Sequence, residues 1–175
     1  MCRFEQKNIF MRKLSVVFIA LCALFSSCGG DKCAKVQCGV NQICNSGNCF
    51  CNDGYEGTNC DVLSSPKYIG NYLASEVCNN GSGGLTYYPN IQQQFSRPSE
   101  LQINNFINQF TITAYIRGDA SKTGNNIEIP EQQLGGSGTI YGQGVYSPYD
   151  RRITINLEYT LNFQNKACTH TFYPQ

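Results

Sequence analysis

Six cysteines crowded into 28 residues constrain this chain of 175 residues more than any other feature of its sequence. Separated by gaps of four, five, four, one and eight residues, they are Cys33, Cys38, Cys44, Cys49, Cys51 and Cys60. A segment this short cannot bury enough apolar surface to fold on a core alone, so covalent cross-links must hold it. Fifteen disulfide connectivities are possible for six cysteines. Zinc is the rival explanation, but the cluster contains no C-x-x-C pair and the one histidine, His170, is far away.

The end of this cluster carries a more specific pattern. From Cys51 to Cys60 the sequence reads C-x-x-G-aromatic-x-G-x-x-C, and its glycines suit tight turns with positive φ. On this motif and the cysteine spacing, residues 33–60 resemble an epidermal-growth-factor-like (EGF-like) module. The resemblance implies a stalk or protein-contact role. It also implies three disulfides, Cys33–Cys44, Cys38–Cys49 and Cys51–Cys60.

Calcium, which some modules of this family bind, is not expected here. Before the first cysteine stands one carboxylate, Asp31, next to the ammonium group of Lys32. Calcium takes six to eight oxygen ligands, which this stretch does not supply. We therefore predict no metal and no cofactor.

The N-terminal residues predict export. Arg12 and Lys13 precede the apolar residues 14–25, which only Ser15 interrupts. As a helix, twelve residues span about 18 Å, short of the roughly 30 Å hydrocarbon core of a bilayer. A secretory signal peptide is therefore favoured over a membrane-spanning helix. Met11 directly precedes Arg12 and is a second candidate start.

Residues 24–28, Leu-Phe-Ser-Ser-Cys, resemble the lipobox of bacterial lipoproteins, although Phe25 replaces the usual aliphatic residue. The resemblance implies removal of residues 1–27 and lipid attachment to Cys28. The protein would then be anchored in the cell envelope, at an outer membrane, facing the periplasm or the surface, with residues 28–32 as a tether. The alternative is ordinary secretory cleavage, which would leave Cys28 as a free thiol.

The charge of the chain excludes a nucleic-acid partner. Formal net charge is +1, with 13 basic and 12 acidic residues. Residues 1–27 hold four of the bases and one of the acids, so 13 − 4 = 9 bases and 12 − 1 = 11 acids remain, a net charge of −2. No basic field that could hold a phosphate backbone is left.

After a short linker at residues 61–67, residues 68–175 have the pattern of a β domain. Residues 153–163 alternate apolar and polar side chains, and residues 110–117 repeat this period of two, which a one-sided helix cannot produce. Shorter strand-like segments are residues 68–77, 85–88, 101–106, 126–129, 139–146 and 167–173. Turn signals separate them, so about eight strands are expected in an antiparallel meander, closed as a barrel or folded into a sandwich.

Once residues 1–27, the lipid site and the small module are set aside, Cys78 and Cys168 are the two cysteines left in the mature chain, and we expect them to pair. Such a bond brings the Cα atoms of the first and last strands within about 6–7 Å, as a closed barrel requires. With the export signals, residues 68–175 are similar to the lipocalin-like (calycin-like) β-barrel domains of Bacteroidota lipoproteins. Such a barrel holds a small ligand or only its own side chains, so the fold leaves the function open.

Little in the sequence favours catalysis. His170 lies two residues after Cys168 on a predicted strand, so both face the same side and His170 is expected in the core or at the barrel rim. No nucleophile motif such as G-x-S-x-G accompanies it. The spacing of the scattered carboxylates proposes no hydrolytic pair among Glu76, Glu100, Glu128, Glu131, Asp150 and Glu158.

Tyrosines near predicted turns are the remaining candidates for ligand contact: Tyr87, Tyr88, Tyr141, Tyr146 and Tyr149. Such side chains can stack on sugars or bind a protein, or they can simply cap the ends of a small barrel. We therefore expect a lipid-anchored, non-enzymatic binding protein whose barrel takes a small ligand, a glycan or a protein. An envelope inhibitor or assembly factor is the alternative, and a hydrolase using scattered carboxylates is third.

Overall fold

The computed structural model describes residues 31–175 apart from positions 80, 82, 83, 95 and 137. The predicted signal peptide, the candidate start at Met11 and the lipid site at Cys28 lie outside the described residues. What is described is mainly β, and its one helical element is the 3-10 turn Ser65–Lys67.

Two short hairpins make up the N-terminal module. They pair β1 (Gln42–Asn45) with β2 (Asn48–Cys51) and β3 (Tyr55–Glu56) with β4 (Val62–Leu63). Disulfides join Cys33 to Cys44, Cys38 to Cys49 and Cys51 to Cys60, which are the pairs that the EGF-like resemblance implies. In the described part of this module only Cys51, Gly54 and Cys60 are buried, so the cross-links replace a hydrophobic core.

Nine strands follow between residues 70 and 174. They are β5 (Gly70–Cys78), β6 (Thr86–Tyr87), β7 (Asn90–Gln93), β8 (Glu100–Phe106), β9 (Phe110–Arg117), β10 (Asn126–Leu134), β11 (Gly138–Tyr146), β12 (Ile153–Leu161) and β13 (Gln164–Pro174). Consecutive strands from β7 to β13 pair antiparallel, and β5 pairs with both β7 and β13. The prediction of an antiparallel barrel of eight strands is therefore confirmed, with β6 as an added partner of β5.

The first and last strands meet where the cysteines predict. Cys78 and Cys168 are direct register partners, their Cα atoms lie 4.0 Å apart, and a disulfide joins them. The strand pairing and the cross-link close the barrel at the same place.

The barrel interior is filled by apolar side chains because each strand alternates inward and outward positions. On β12, Ile153, Ile155 and Leu157 are buried while Asn156 and Glu158 are exposed. The largest fully buried side chains include Tyr68, Tyr87, Phe106, Phe172, Ile91 and Leu101. Many such side chains at about 1.5–3 kcal/mol each supply the main favourable energy of folding.

Three details differ from the expected strands. Strand β7 was not predicted, since it is only four residues long. Strand β10 runs past Pro130 because the register shifts there in a bulge, where no ladder hydrogen bond is demanded of proline. Strand β12 ends at Leu161, because Asn162 and Phe163 have positive φ and form the two-residue turn to β13.

The N-terminal module is packed against one end of the barrel. Asp53 accepts a hydrogen bond from the backbone N–H of Gly118 (2.8 Å) and pairs with Arg117 (2.6 Å). Lys67 binds Glu56 of the module and donates to Asn125 of the barrel (2.8 Å). Segment 61–67, predicted as a linker, therefore belongs to a packed junction, in which Ser64 and Ser65 are buried.

Candidate ligand-binding groove

The five tyrosines singled out by sequence divide into two groups. Tyr87 and Tyr146 are buried, so they cannot contact a ligand on the barrel surface, and this corrects the expectation for both. Each faces inward on its strand: Tyr87 contacts His170, and Tyr146 packs edge-on against Tyr68. The other three have exposed fractions of 65% (Tyr88), 45% (Tyr141) and 98% (Tyr149).

One of the exposed tyrosines, Tyr141, lies in a groove on the outside of the barrel. The groove has a volume of about 1140 Å³ and crosses the outer face of β10, β11, β12 and β13. Its polar lining includes Arg117, Glu128, Glu131, Tyr141, Gln143, Asn156, Glu158 and Thr169. This volume is slightly above the range of about 300–1,000 Å³ for small-molecule pockets, and an open groove of this size suits an extended ligand.

Two glycines allow β11 to lie close against β12 in this face of the barrel. A Cβ atom at Gly142 would lie 2.1 Å from the carbonyl oxygen of Asn156, and one at Gly144 would lie 2.6 Å from that of Thr154. Only glycine therefore permits β11 to approach β12 so closely. Both glycines line the groove, which thus lies where two consecutive inward positions of β11, 142 and 144, carry no side chain.

The centre of the groove is a row of side chains that crosses three strands. Tyr141 on β11 is the register partner of Glu158 on β12, and its hydroxyl donates a hydrogen bond to that carboxylate. This hydrogen bond raises the pKa of the Tyr141 hydroxyl. On the other side of Tyr141, the bulge of β10 presents Pro130 and Glu131. The Tyr141 hydroxyl is thus fixed by Glu158, and Glu131 lies on the opposite side of Tyr141 in the lining of the groove.

Amide and hydroxyl groups form the neighbouring row. Gln143 and Asn156 are register partners, and Thr169 donates a hydrogen bond to the side-chain oxygen of Asn156 (2.8 Å). Both amide side chains are exposed, and the Asn156 NH₂ group remains available to a ligand. The row can therefore both donate and accept hydrogen bonds.

Charges in the groove are unevenly compensated. Arg117 binds Glu128 (2.7 Å) while it also binds Asp53 of the module. Within the described residues, no lysine or arginine lies within 4 Å of Glu131 or Glu158. The groove therefore combines three carboxylates with one guanidinium group, and its centre is negative.

A second polar cluster lies inside the barrel. His170 is fully buried, its Nδ1 atom is 3.0 Å from the Tyr87 hydroxyl, and its Nε2 atom is 3.8 Å from the Glu76 carboxylate. Glu76 in turn accepts a hydrogen bond from Tyr159 (2.9 Å). Burial lowers the pKa of His170 to about 4, so the imidazole is neutral near pH 7. His170 is thus a core neighbour of the Cys78–Cys168 disulfide.

The fold brings three of the six candidate carboxylates together and keeps the other three apart from them. Glu76 is inside the barrel, while Glu100 pairs with Arg97 and Asp150 with Arg152, both outside the groove. Three others, Glu128, Glu131 and Glu158, meet in the groove.

Sequence reasoning missed this meeting of side chains, together with Gln143 and Asn156. A usable signal existed, because outward positions of consecutive strands in a meander become neighbours on one face.

The fold defines the chain as a mainly β protein built on a closed, eight-stranded antiparallel barrel. Comparisons with protein-family models, curated proteins and solved structures find no match to it. Over the residues that the structure describes, no helix has the length and apolar character needed to cross a membrane.

Proposed function

We propose that this chain is an exported, lipid-anchored binding protein of the bacterial cell envelope, and that the outer groove of its barrel binds a glycan chain. The export signal and the lipobox-like residues before Cys28 support the address. Four disulfides in the described residues support it too, because such bonds persist in oxidising compartments. The disulfide pattern of the N-terminal module supports its EGF-like character.

The single observation that carries the binding proposal is the groove around Tyr141. The barrel interior is occupied by side chains such as Tyr87, Phe106 and Phe172, which argues against carriage of a small ligand inside it. The groove, in contrast, is open to solvent and combines the aromatic ring of Tyr141 with amides, two threonines and carboxylates. A ring that is already fixed loses little conformational entropy when a ligand stacks on it.

A glycan fits this chemistry better than an extended peptide does. An extended peptide usually binds by adding a strand to a free sheet edge. Strands β10 to β13 are paired on both sides, so the groove lies on a sheet face and offers no edge. Sugar hydroxyls need side-chain donors and acceptors instead, which Gln143, Asn156 and Glu158 present.

Binding is also better supported than hydrolysis. Glu131 and Glu158 are exposed to solvent, and they lie on strands separated by β11, which corresponds to about 10 Å between backbones. A glycosidase needs one carboxyl group to stay protonated near neutral pH, which a buried, apolar environment provides. We therefore assign these groups to ligand contact.

A glycan array that includes neutral, anionic and cationic oligosaccharides tests this proposal. The disulfide-bonded protein should bind a subset of glycans, and Tyr141→Ala should abolish that binding without changing the thermal unfolding temperature. Tyr149→Ala is the matched control, since Tyr149 is almost fully exposed but does not line the groove. The proposal fails if no glycan binds, or if both variants bind like the wild type.

A further inference from the structure

The negative charge at the centre of the groove further restricts the chemical class of ligand that the groove can bind. Glu131 and Glu158 flank the Tyr141 ring on two sides, and in the described part of the chain neither has a cationic partner within salt-bridge distance. Among the described residues that line the groove, Arg117 supplies the one guanidinium group, and it is already engaged by Glu128 and Asp53. Both carboxylates can therefore pair with cationic groups of a ligand that lies over Tyr141.

We infer that the ligand of this groove is a cationic glycan, an amino-sugar chain that carries free primary ammonium groups. This inference rests on the proposed glycan-binding function and names its substrate class. Ammonium groups would pair with Glu131 and Glu158, while the sugar ring between them stacks on Tyr141. The hydroxyl groups of the same chain would bind Gln143 and Asn156.

The arrangement of the strands determines whether the ligand runs across them or along them. Neighbouring strands lie about 4.8 Å apart, so a chain that crosses β10, β11 and β12 meets Glu131, then Tyr141, then Glu158 over about 10 Å. A chain lying along β11 instead would meet Tyr141 and Gln143 and pass between the two carboxylates. The cationic ligand is therefore expected to cross the strands.

Solvent exposure limits the size of the electrostatic effect. Exposed ion pairs contribute modestly, so two of them should strengthen binding by about tenfold over the neutral analogue. The effect should fall at high salt, because exposed charges are screened.

The test compares two oligomers with one sugar backbone: a glucosamine hexamer with free amines and its fully N-acetylated, neutral counterpart. Isothermal titration calorimetry in a mildly acidic buffer that keeps the amines of the oligomer protonated gives both affinities at low and high salt. The proteins are the wild type, the double variant Glu131→Gln/Glu158→Gln, and Glu100→Gln. Because glutamine keeps an acceptor for the Tyr141 hydroxyl, the double variant removes only charge. Glu100 is a control carboxylate outside the groove.

We expect the wild type and Glu100→Gln to bind the amino oligomer about tenfold more tightly than the neutral oligomer at low salt. The double variant should lose that preference and bind the neutral oligomer as the wild type does. Equal affinities for the two oligomers in the wild type would overturn the cationic assignment and leave the glycan proposal standing. Binding of neither oligomer, together with a negative glycan array, would overturn both. A hexalysine peptide serves as a third ligand, and tighter binding of it than of the amino oligomer would refute the glycan class.

Discussion

The buried imidazole of His170 makes the stability of the barrel depend on pH in a calculable way. Burial lowers its pKa to about 4 in the folded state, whereas the unfolded chain exposes it with an ordinary pKa of about 6.5. Between these values the unfolded state binds more protons, so acidification favours unfolding. The contribution of His170 to stability is complete above about pH 6.5 and is lost as the pH falls towards 4. At pH 4.5 the loss relative to pH 7 is about 2–3 kcal/mol.

Urea denaturation of the wild type and His170→Gln at pH 7 and pH 4.5 measures this loss. Glutamine does not titrate, and its oxygen can still accept a hydrogen bond from the Tyr87 hydroxyl. The variant should be less stable at pH 7, but the wild type should lose about 2–3 kcal/mol more than the variant between the two pH values. Since the sequence contains one histidine, a single imidazole resonance in the NMR spectrum reports its pKa directly.

The effect of burial on His170 is opposed by the Glu76 carboxylate, which lies 3.8 Å from Nε2 and favours a charged imidazole. Lys166 acts in the same direction as burial and lowers the pKa of His170. A resonance that titrates above pH 6.5, or equal losses of stability in the two proteins, would refute the reasoning. The first result would mean that the attraction of Glu76 outweighs desolvation, and the second that the two effects balance.

Three other predictions concern the cross-link, the groove and the anchor. Cys78→Ala/Cys168→Ala should lower the free energy of unfolding by about 4–5 kcal/mol in denaturant titrations, because this disulfide closes a loop with a sequence separation of 90 residues. A loss below about 1 kcal/mol would contradict this account. Gly142→Ala should cost about 1–3 kcal/mol and weaken glycan binding, since its Cβ would meet the backbone of β12, whereas Gly136→Ala, with open space around it, should change neither. Cys28→Ala should move the protein from the membrane fraction to the soluble fraction in immunoblots, and continued membrane association would contradict lipidation at this residue.

Much of the architecture could be predicted because it depends on local periodicity and on cysteine chemistry. The alternation in 153–163 marked β12 and its buried face, and Cys78 and Cys168 indicated where the barrel closes. The strand features that the sequence did not predict also have local causes. Strand β7 is too short to show a period, and β10 continues past a proline that normally ends a strand.

The candidate site was harder to predict than the fold. Tyr87, Tyr146 and Tyr141 all lie near turns, which makes each a candidate for ligand contact. The direction of the side chain places Tyr87 and Tyr146 in the core, whereas Tyr141 lines the groove. Proximity to a turn does not report which face of a strand a residue occupies, and a shift of one residue reverses that face.

The class of fold and the covalent framework follow from residues read in order along the chain, because strand periodicity and cysteine number are local properties. The meeting of Glu131, Tyr141 and Glu158, and the packing of the N-terminal module against the barrel through Lys67, follow only from how the whole chain folds. Both arrangements join residues that are far apart in the sequence. The row in the groove depends on strand register, on a bulge in β10 and on the close approach that Gly142 permits, which are properties of the closed barrel rather than of any one segment.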